Sequence, residues 1–221
     1  MHRVAIRPAI VERVLARRGR LHLHERLEAK RSALLVIDMQ DSFVAPGAPA
    51  EVPAARGIVP AINRLAAELR RRGVAVIWVL HRNSEDGGDW RGFFDVFVSP
   101  GQRARAAQAL HSDRLFAQMQ PAKDDLRVAK NRYSALIAGS SPLQRMLEER
   151  NIDTLLIAGT KTNVCCESTA RDAMMLDYKV ILLSDCTAAL SDEEHLATLE
   201  NVIQQFGDVL TADEALALLD T

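Results

Sequence analysis

The chain has 221 residues, 48% of them hydrophobic, and a formal net charge of -1. That length and apolar content suffice for one sizeable core, and the balanced charge supplies no basic field of the kind that attracts nucleic acid. No apolar run reaches the roughly 18 residues a membrane span needs, and the basic N-terminus lacks an apolar stretch before a small-residue cleavage site, so neither a membrane anchor nor a signal peptide is expected.

Three cysteines, Cys165, Cys166 and Cys186, are an odd number with two adjacent in sequence. Such a set makes a poor disulfide framework and fits free thiols in a reducing, cytoplasmic compartment. Charge is uneven along the chain: residues 1–31 hold nine Lys/Arg against Glu12, Glu25 and Glu28. They read as a basic arm with a short helix, distinct from a single domain over 32–221. Ile10, Val14 and Leu15 would dock that helix on the body or on a neighbouring subunit. No aromatic residue is interleaved with the charges to stack on bases.

The first strong element is Ala33–Ile37, continuously apolar and rich in β-branched residues, as expected of a strand buried on both faces of a parallel sheet. It ends at Asp38-Met39-Gln40. After a Pro/Gly/Ala loop, Ile58, Ile62, Leu65, Ala66 and Leu69 recur at helical spacing, and Gly73 closes that helix. Val74–Leu80 is the second strand. Residues 81–101, with His81, Asn83, Gly87, Trp90, Phe93 and Phe94, read as a long loop with a partly apolar tip, and loops of that length are usually functional. A helix over about 102–118 follows, then a short strand over 126–129 that leads into Lys130. Ser141-Pro142 opens a helix through Arg150. Thr154–Ala158 is a strand, Gly159–Val164 a turn, and Cys165 to Leu176 a helix. Val180–Leu183 is a further strand, and helices near 192–205 and 212–219 end the chain.

Alternating strands and helices predict an open, doubly wound α/β fold with a mostly parallel sheet and helices on both faces. Ligands in such sheets bind at the carboxyl ends of strands, where strand order switches. Asp38, His81, Lys130 and the turn before Cys165 all follow strands, which puts four chemically capable positions on one edge. A cysteine that begins a helix meets free N–H groups and a favourable dipole, which would lower its pKa and hold a developing oxyanion. Cys166 points about 100° away around the helix and reads as packing. A carboxylate closing an apolar strand can serve as a base in a partly dry cleft. With Lys130 the set comprises a nucleophile, a base and a charge stabiliser.

The stretch GTKTNVCCESTARDA, Gly159 to Ala173, resembles the signature of isochorismatase-like cysteine hydrolases. VIDMQDSF, from Val36, is similar to the aspartate motif of that family, and AKNRYSAL, from Ala129, to its lysine motif. The likeness runs from about 33 to 210. It implies Cys165 as nucleophile, Asp38 as base and Lys130 as the residue that orients and polarises the pair. It also implies a cis peptide at Thr160-Lys161, an oxyanion hole from the backbone N–H groups of Lys161 and Cys165, and a dimeric or tetrameric homo-oligomer. Thr162 and Asn163 would hold the turn.

The same resemblance separates the branches. Isochorismatases proper cleave a vinyl ether and lack the cysteine, so Cys165 favours the amidohydrolase branch, similar to the ureidoacrylate and biuret amidohydrolases. Nicotinamidases carry an Asp-x-His pair and a later His that bind a metal. Here that region reads Val79-Leu80-His81 and the next histidine is His111, short of the three protein ligands zinc takes. Neither metal nor organic cofactor is expected. The expected activity is cleavage of a C–N bond in a small, polar amide or ureide through a thioester. Phe43, His81, Asn83, Trp90 and Tyr133 would form the pocket, with His81 and Asn83 hydrogen-bonding the planar N–C=O group. The alternatives are a vinyl-ether hydrolase that would tolerate loss of Cys165, a nicotinamidase-like amidase, and a non-catalytic interaction module. A dinucleotide-binding oxidoreductase would want G-x-G-x-x-G where the chain reads DMQDSF. No nucleic-acid or membrane partner is expected.

Overall fold

A computed structural model describes residues 2–84, 88–102 and 114–219. Within them one sheet of six parallel strands runs in the order β3-β2-β1-β4-β5-β6, with β1 Ser32–Ile37, β2 Ala75–His81, β3 Leu126–Lys130, β4 Thr154–Thr160, β5 Lys179–Ala188 and β6 Asp208–Leu210. The chain builds outward from β1 through β2 to β3, then crosses back and builds the other half from β4. The switch in strand order therefore lies between β1 and β4, which is where a parallel α/β sheet leaves a crevice.

Every residue of β1 and β4 is buried, because helices cover both faces. Alternate β1 residues belong to different cores. Leu34 and Val36 pack with helices α3 (Ala55–Arg71) and α8 (Ala212–Ala217). Ala33, Leu35 and Ile37 pack with α1 (Pro8–Arg18), α5 (Leu143–Glu148), α6 (Glu167–Met175) and α7 (Asp192–Asn201). Among the described residues no helix is long and apolar enough to cross a membrane.

Several elements differ from expectation. The expected loop over 81–101 contains a short 3₁₀ turn at Gly88–Trp90 and helix α4, Arg91–Phe97. Gly92 and Val96 make this a weak helix by propensity, but its aromatic residues pack on one another: Phe93 stacks on Trp90 at 4.6 Å and on Phe97 at 5.9 Å. The expected helix over 102–118 falls largely on 103–113, outside the described residues, as do Gly87 and His111. Leu115, at its far end, is not helical but forms an antiparallel bridge with Gln40. Strand β6, three residues long, is too short to carry a periodic signal.

The N-terminal arm lies on its own chain. Ile10 and Val14 of α1 enter the core while Leu15 faces outward. The Arg7 Nε donates to both Glu200 oxygens at 2.8 and 3.0 Å, and Leu27 N–H donates to Leu218 O at 2.9 Å.

At Gly159 the backbones of β1 and β4 leave no room for a side chain. The glycine pairs with Ile37 in the β1–β4 ladder at φ +115, and a Cβ there would lie 2.0 Å from the Ile37 carbonyl oxygen. An alanine would meet both a forbidden backbone region and a backbone clash. Gly159→Ala is expected to lose roughly 2–6 kcal/mol of stability, read as the denaturant midpoint; a loss under about 1 kcal/mol would show that β1 and β4 are not held this closely.

Candidate active site

Four strand ends converge at the crevice. Asp38, directly after β1, is fully buried and adopts a left-handed backbone, φ 54, a region Asp tolerates better than most side chains. His81 and Lys130 end β2 and β3 and are direct partners in that ladder. Beyond β4 the Thr160-Lys161 peptide is cis, and Thr162–Cys166 forms a π-helical turn that runs into α6. Cys165 is therefore carried by that turn, one residue before the cap of the α-helix, rather than beginning the helix as expected.

Lys130 Nζ lies 2.9 Å from Asp38 Oδ2, with side chains 0% and 1% exposed. It also meets His81 Nδ1 at 3.1 Å, the Arg132 carbonyl at 3.1 Å and the Cys165 side chain, so acceptors surround its three N–H groups. Burial alone would lower the Lys130 pKa; the Asp38 carboxylate and Cys165 outweigh it, and the ammonium is raised above its ordinary value. The remaining carboxylate oxygen, Asp38 Oδ1, is buried and has no hydrogen-bond partner among the described residues.

The Cys165 thiol feels both members of this pair. Burial, and then the Asp38 carboxylate, push its pKa up, and Lys130 offsets only part of that rise. This corrects the expectation of a thiol acidified by a helix start: desolvation beside a carboxylate dominates, so the resting group is a protonated thiol that needs a base. Cys165, Cys166 and Cys186 are all free and buried. Cys165 alone of the three faces the cavity described below, and Cys166 belongs to the core under the sheet.

His81 is buried and neutral. Burial, and then the Lys130 ammonium, lower its pKa from 6.5 to about 4. Because Lys130 donates to Nδ1, the ring proton is on Nε2 and is given to Asn83 Oδ1 at 2.6 Å. Asn83 Nδ2 in turn donates to the Asn131 carbonyl at 3.2 Å and to Asp89 Oδ2 at 3.4 Å. His81 and Asn83 thus reach the site as expected, but their polar atoms hold Lys130 and its loop and are not free to bind a planar N–C=O group. With both ring nitrogens engaged, His81 is also unsuited to ligate a metal. Among the described residues no three His, Cys, Asp or Glu side chains are grouped to hold a metal ion.

The crevice opens into a cavity of about 380 Å³. Phe43, Trp90 and Tyr133 line it as expected, joined by Phe93, Phe94, Val164 and Leu190; Glu51, His81, Asn83, Lys161 and Cys165 supply the polar lining. Trp90 meets Tyr133 edge to face at 4.8 Å, and Arg132 lies over the Trp90 ring at 5.2 Å. The residues expected to act together are thus brought to one place.

Three supporting residues were not singled out from the sequence. Gln40 clamps the end of β2, accepting from His81 N–H at 2.6 Å and donating to the His81 carbonyl at 3.2 Å; it lay within the aspartate motif. Thr162, expected to hold the turn, does so through His195 Nδ1 at 2.9 Å. The His195 ring stacks on His2 at 4.4 Å. Nothing in the spacing of His2 or His195 signals the contact.

Residues 32–214 match the isochorismatase domain family. A probable inactive nicotinamidase of Arabidopsis thaliana is 33% identical over 77% of this chain and 87% of its own length. The ureidoacrylate amidohydrolase RutB of Variovorax paradoxus is 32% identical over 85% of this chain and 81% of its own. The solved structure of a cysteine hydrolase from Pseudomonas syringae pv. phaseolicola superposes with a TM-score of 0.79 at 30% identity, covering 88% of this chain and 94% of that one.

Two buried neutral histidines make stability fall with acid. His195, like His81, is lowered from 6.5 to about 4, by burial first and then by His2. Between those values the unfolded chain binds the protons, so the stabilisation is complete above about pH 6.5 and is lost as pH falls toward 4. Each histidine contributes about 3 kcal/mol to this slope when fully developed. Denaturant unfolding from pH 7 to 4.5 should show the midpoint falling, and His81→Gln should flatten part of the fall; a midpoint independent of pH would mean that the rings are solvated.

Proposed function

Because the chain belongs to the isochorismatase family of hydrolases, we propose that it is a cysteine amidohydrolase that cleaves the C–N bond of a small amide or ureide through a Cys165 thioester. The observation that carries this reading is the buried Asp38 carboxylate, held at Oδ2 by Lys130 and hydrogen-bonded to the Cys165 thiol. A buried carboxylate that accepts from a thiol is placed to take its proton. In the proposed reaction Asp38 takes the Cys165 proton and the sulfur attacks the carbonyl. The backbone N–H groups of Lys161 and Cys165 hold the oxyanion, and Asp38 returns its proton to the leaving amine. Water, deprotonated by Asp38, then cleaves the thioester. Lys130, anchored by His81 and the Arg132 carbonyl, keeps the carboxylate oriented and offsets its charge.

The aromatic wall refines the substrate. A site with this lining gains little from a small, wholly polar amide, whereas a flat apolar substituent beside the carbonyl would bury against Trp90, Phe93 and Tyr133. At about 25 cal/mol per Å², covering roughly 100 Å² contributes about 2.5 kcal/mol. The relatives include a ureidoacrylate amidohydrolase and a probable inactive nicotinamidase; the presence of Asp38, Lys130 and Cys165 together supports activity here.

Ammonia release over a panel of amides and ureides tests the reading. Cys165→Ala should abolish hydrolysis and Cys166→Ala should keep most of it; the opposite pattern, or full activity in Cys165→Ala as for a vinyl-ether hydrolase, rejects it. Within the panel, kcat/KM should be at least about tenfold higher for ring-bearing amides than for acetamide or urea. Asn83→Ala, which frees His81 and loosens Lys130, should lower kcat more than Phe94→Leu does. Dialysis against a chelator should leave activity intact; loss of activity with stoichiometric release of zinc or iron would contradict the assignment of His81 as a purely hydrogen-bonding residue.

A further inference from the structure

His2 comes from the basic arm, outside the 32–214 span matched to the family, and ends against His195, whose ring is bonded to the turn that carries Cys165. Its Nε2 accepts from the Ala189 N–H at 3.0 Å, so in the neutral ring Nδ1–H donates to Asp192 Oδ1 at 2.6 Å. The ring then lies on His195, centroids 4.4 Å apart and planes 18° from parallel. His195 is 1% exposed and bridges two parts of the site: its ring is hydrogen-bonded to the Ser184 main chain on β5, and Nδ1 meets the Thr162 hydroxyl at 2.9 Å. Thr162 opens the π turn that holds Cys165. Ala189 directly precedes Leu190, which lines the cavity.

We propose that His2 is a positioning residue: the arm sets the catalytic turn through the chain His2–His195–Thr162 and fixes the neighbouring cavity wall through Ala189. This rests on Cys165 being the nucleophile. The stacked ring covers one face of the His195 plane while two hydrogen bonds hold its edge, and displacement of a nucleophile by a fraction of an ångström is enough to slow an acyl transfer. Arg7, bonded to Glu200 through its backbone N–H at 3.0 Å and its guanidinium, anchors the arm independently of His2. Loss of the His2 ring is therefore a local change.

The test is a double-mutant cycle on the full chain with two readouts. His2→Ala should lower kcat about tenfold with KM changed less than threefold and an unchanged denaturant midpoint. In a His195→Gln background, itself slowed, the same change should add less than twofold, since the contact it acts through is gone. The second readout needs no substrate: the rate of Cys165 alkylation by iodoacetamide should change at least threefold in His2→Ala and not further in the double variant. Equal losses in both backgrounds, or wild-type kcat and alkylation in His2→Ala, overturn the proposal. Should no amide be hydrolysed, the amidohydrolase reading fails by itself and the alkylation cycle still decides the role of His2.

Discussion

Lys130 and Asp38 meet at 2.9 Å inside the protein with almost no exposed surface on either side chain, and most of the site is arranged around making that pair tolerable. Moving two charges out of water costs several kcal/mol per ion, and their attraction repays this only when the remaining donors and acceptors are satisfied. On the lysine side they are: Asp38, His81, the Arg132 carbonyl and the Cys165 side chain surround its three N–H groups. His81 can accept only because Asn83 takes its other ring proton, and it stays in place because Gln40 holds its backbone. On the aspartate side one oxygen is left open. An apolar pair of the same size is often as stable or more so; on the proposed reading, the charged pair serves the thiol beside it.

The sheet delivers this pair by its register. His81 and Lys130 are direct partners in the β2–β3 ladder, and Ile37, just before Asp38, faces Gly159 in the β1–β4 ladder. A one-residue slip in either would exchange the faces of the strand and send the functional side chain to the wrong core. The glycine lets the backbones of β1 and β4 approach so closely that Asp38 and the turn after β4 share one crevice.

Much of this was legible in the chain. Strands β1, β2 and β4 are continuous apolar runs, and each ends in a polar residue or a turn that had no packing reason to be there. That is why the sequence alone places Asp38, His81, Lys130 and Cys165 on one edge. What escaped had physical causes. Strand β6 is three residues long and α4 is held by aromatic stacking that outweighs poor propensity. The thiol pKa is raised where a helix start was expected to lower it, because burial and then the Asp38 carboxylate dominate its surroundings. His81 and Asn83 were found as site residues, but a sequence does not say which of a residue's hydrogen bonds the protein will use. The contact of His2 with His195 spans nearly the whole chain and leaves no local pattern.

The central claim is that Cys165 becomes acylated, and the most direct measurement is mass spectrometry of protein quenched in acid during turnover of a cleaved amide, with and without hydroxylamine. The account predicts an adduct of the acyl mass on the peptide that contains Cys165, removed by hydroxylamine as the hydroxamate forms. Product accumulating while Cys165 stays unmodified at every quench time, with no hydroxamate, would contradict it.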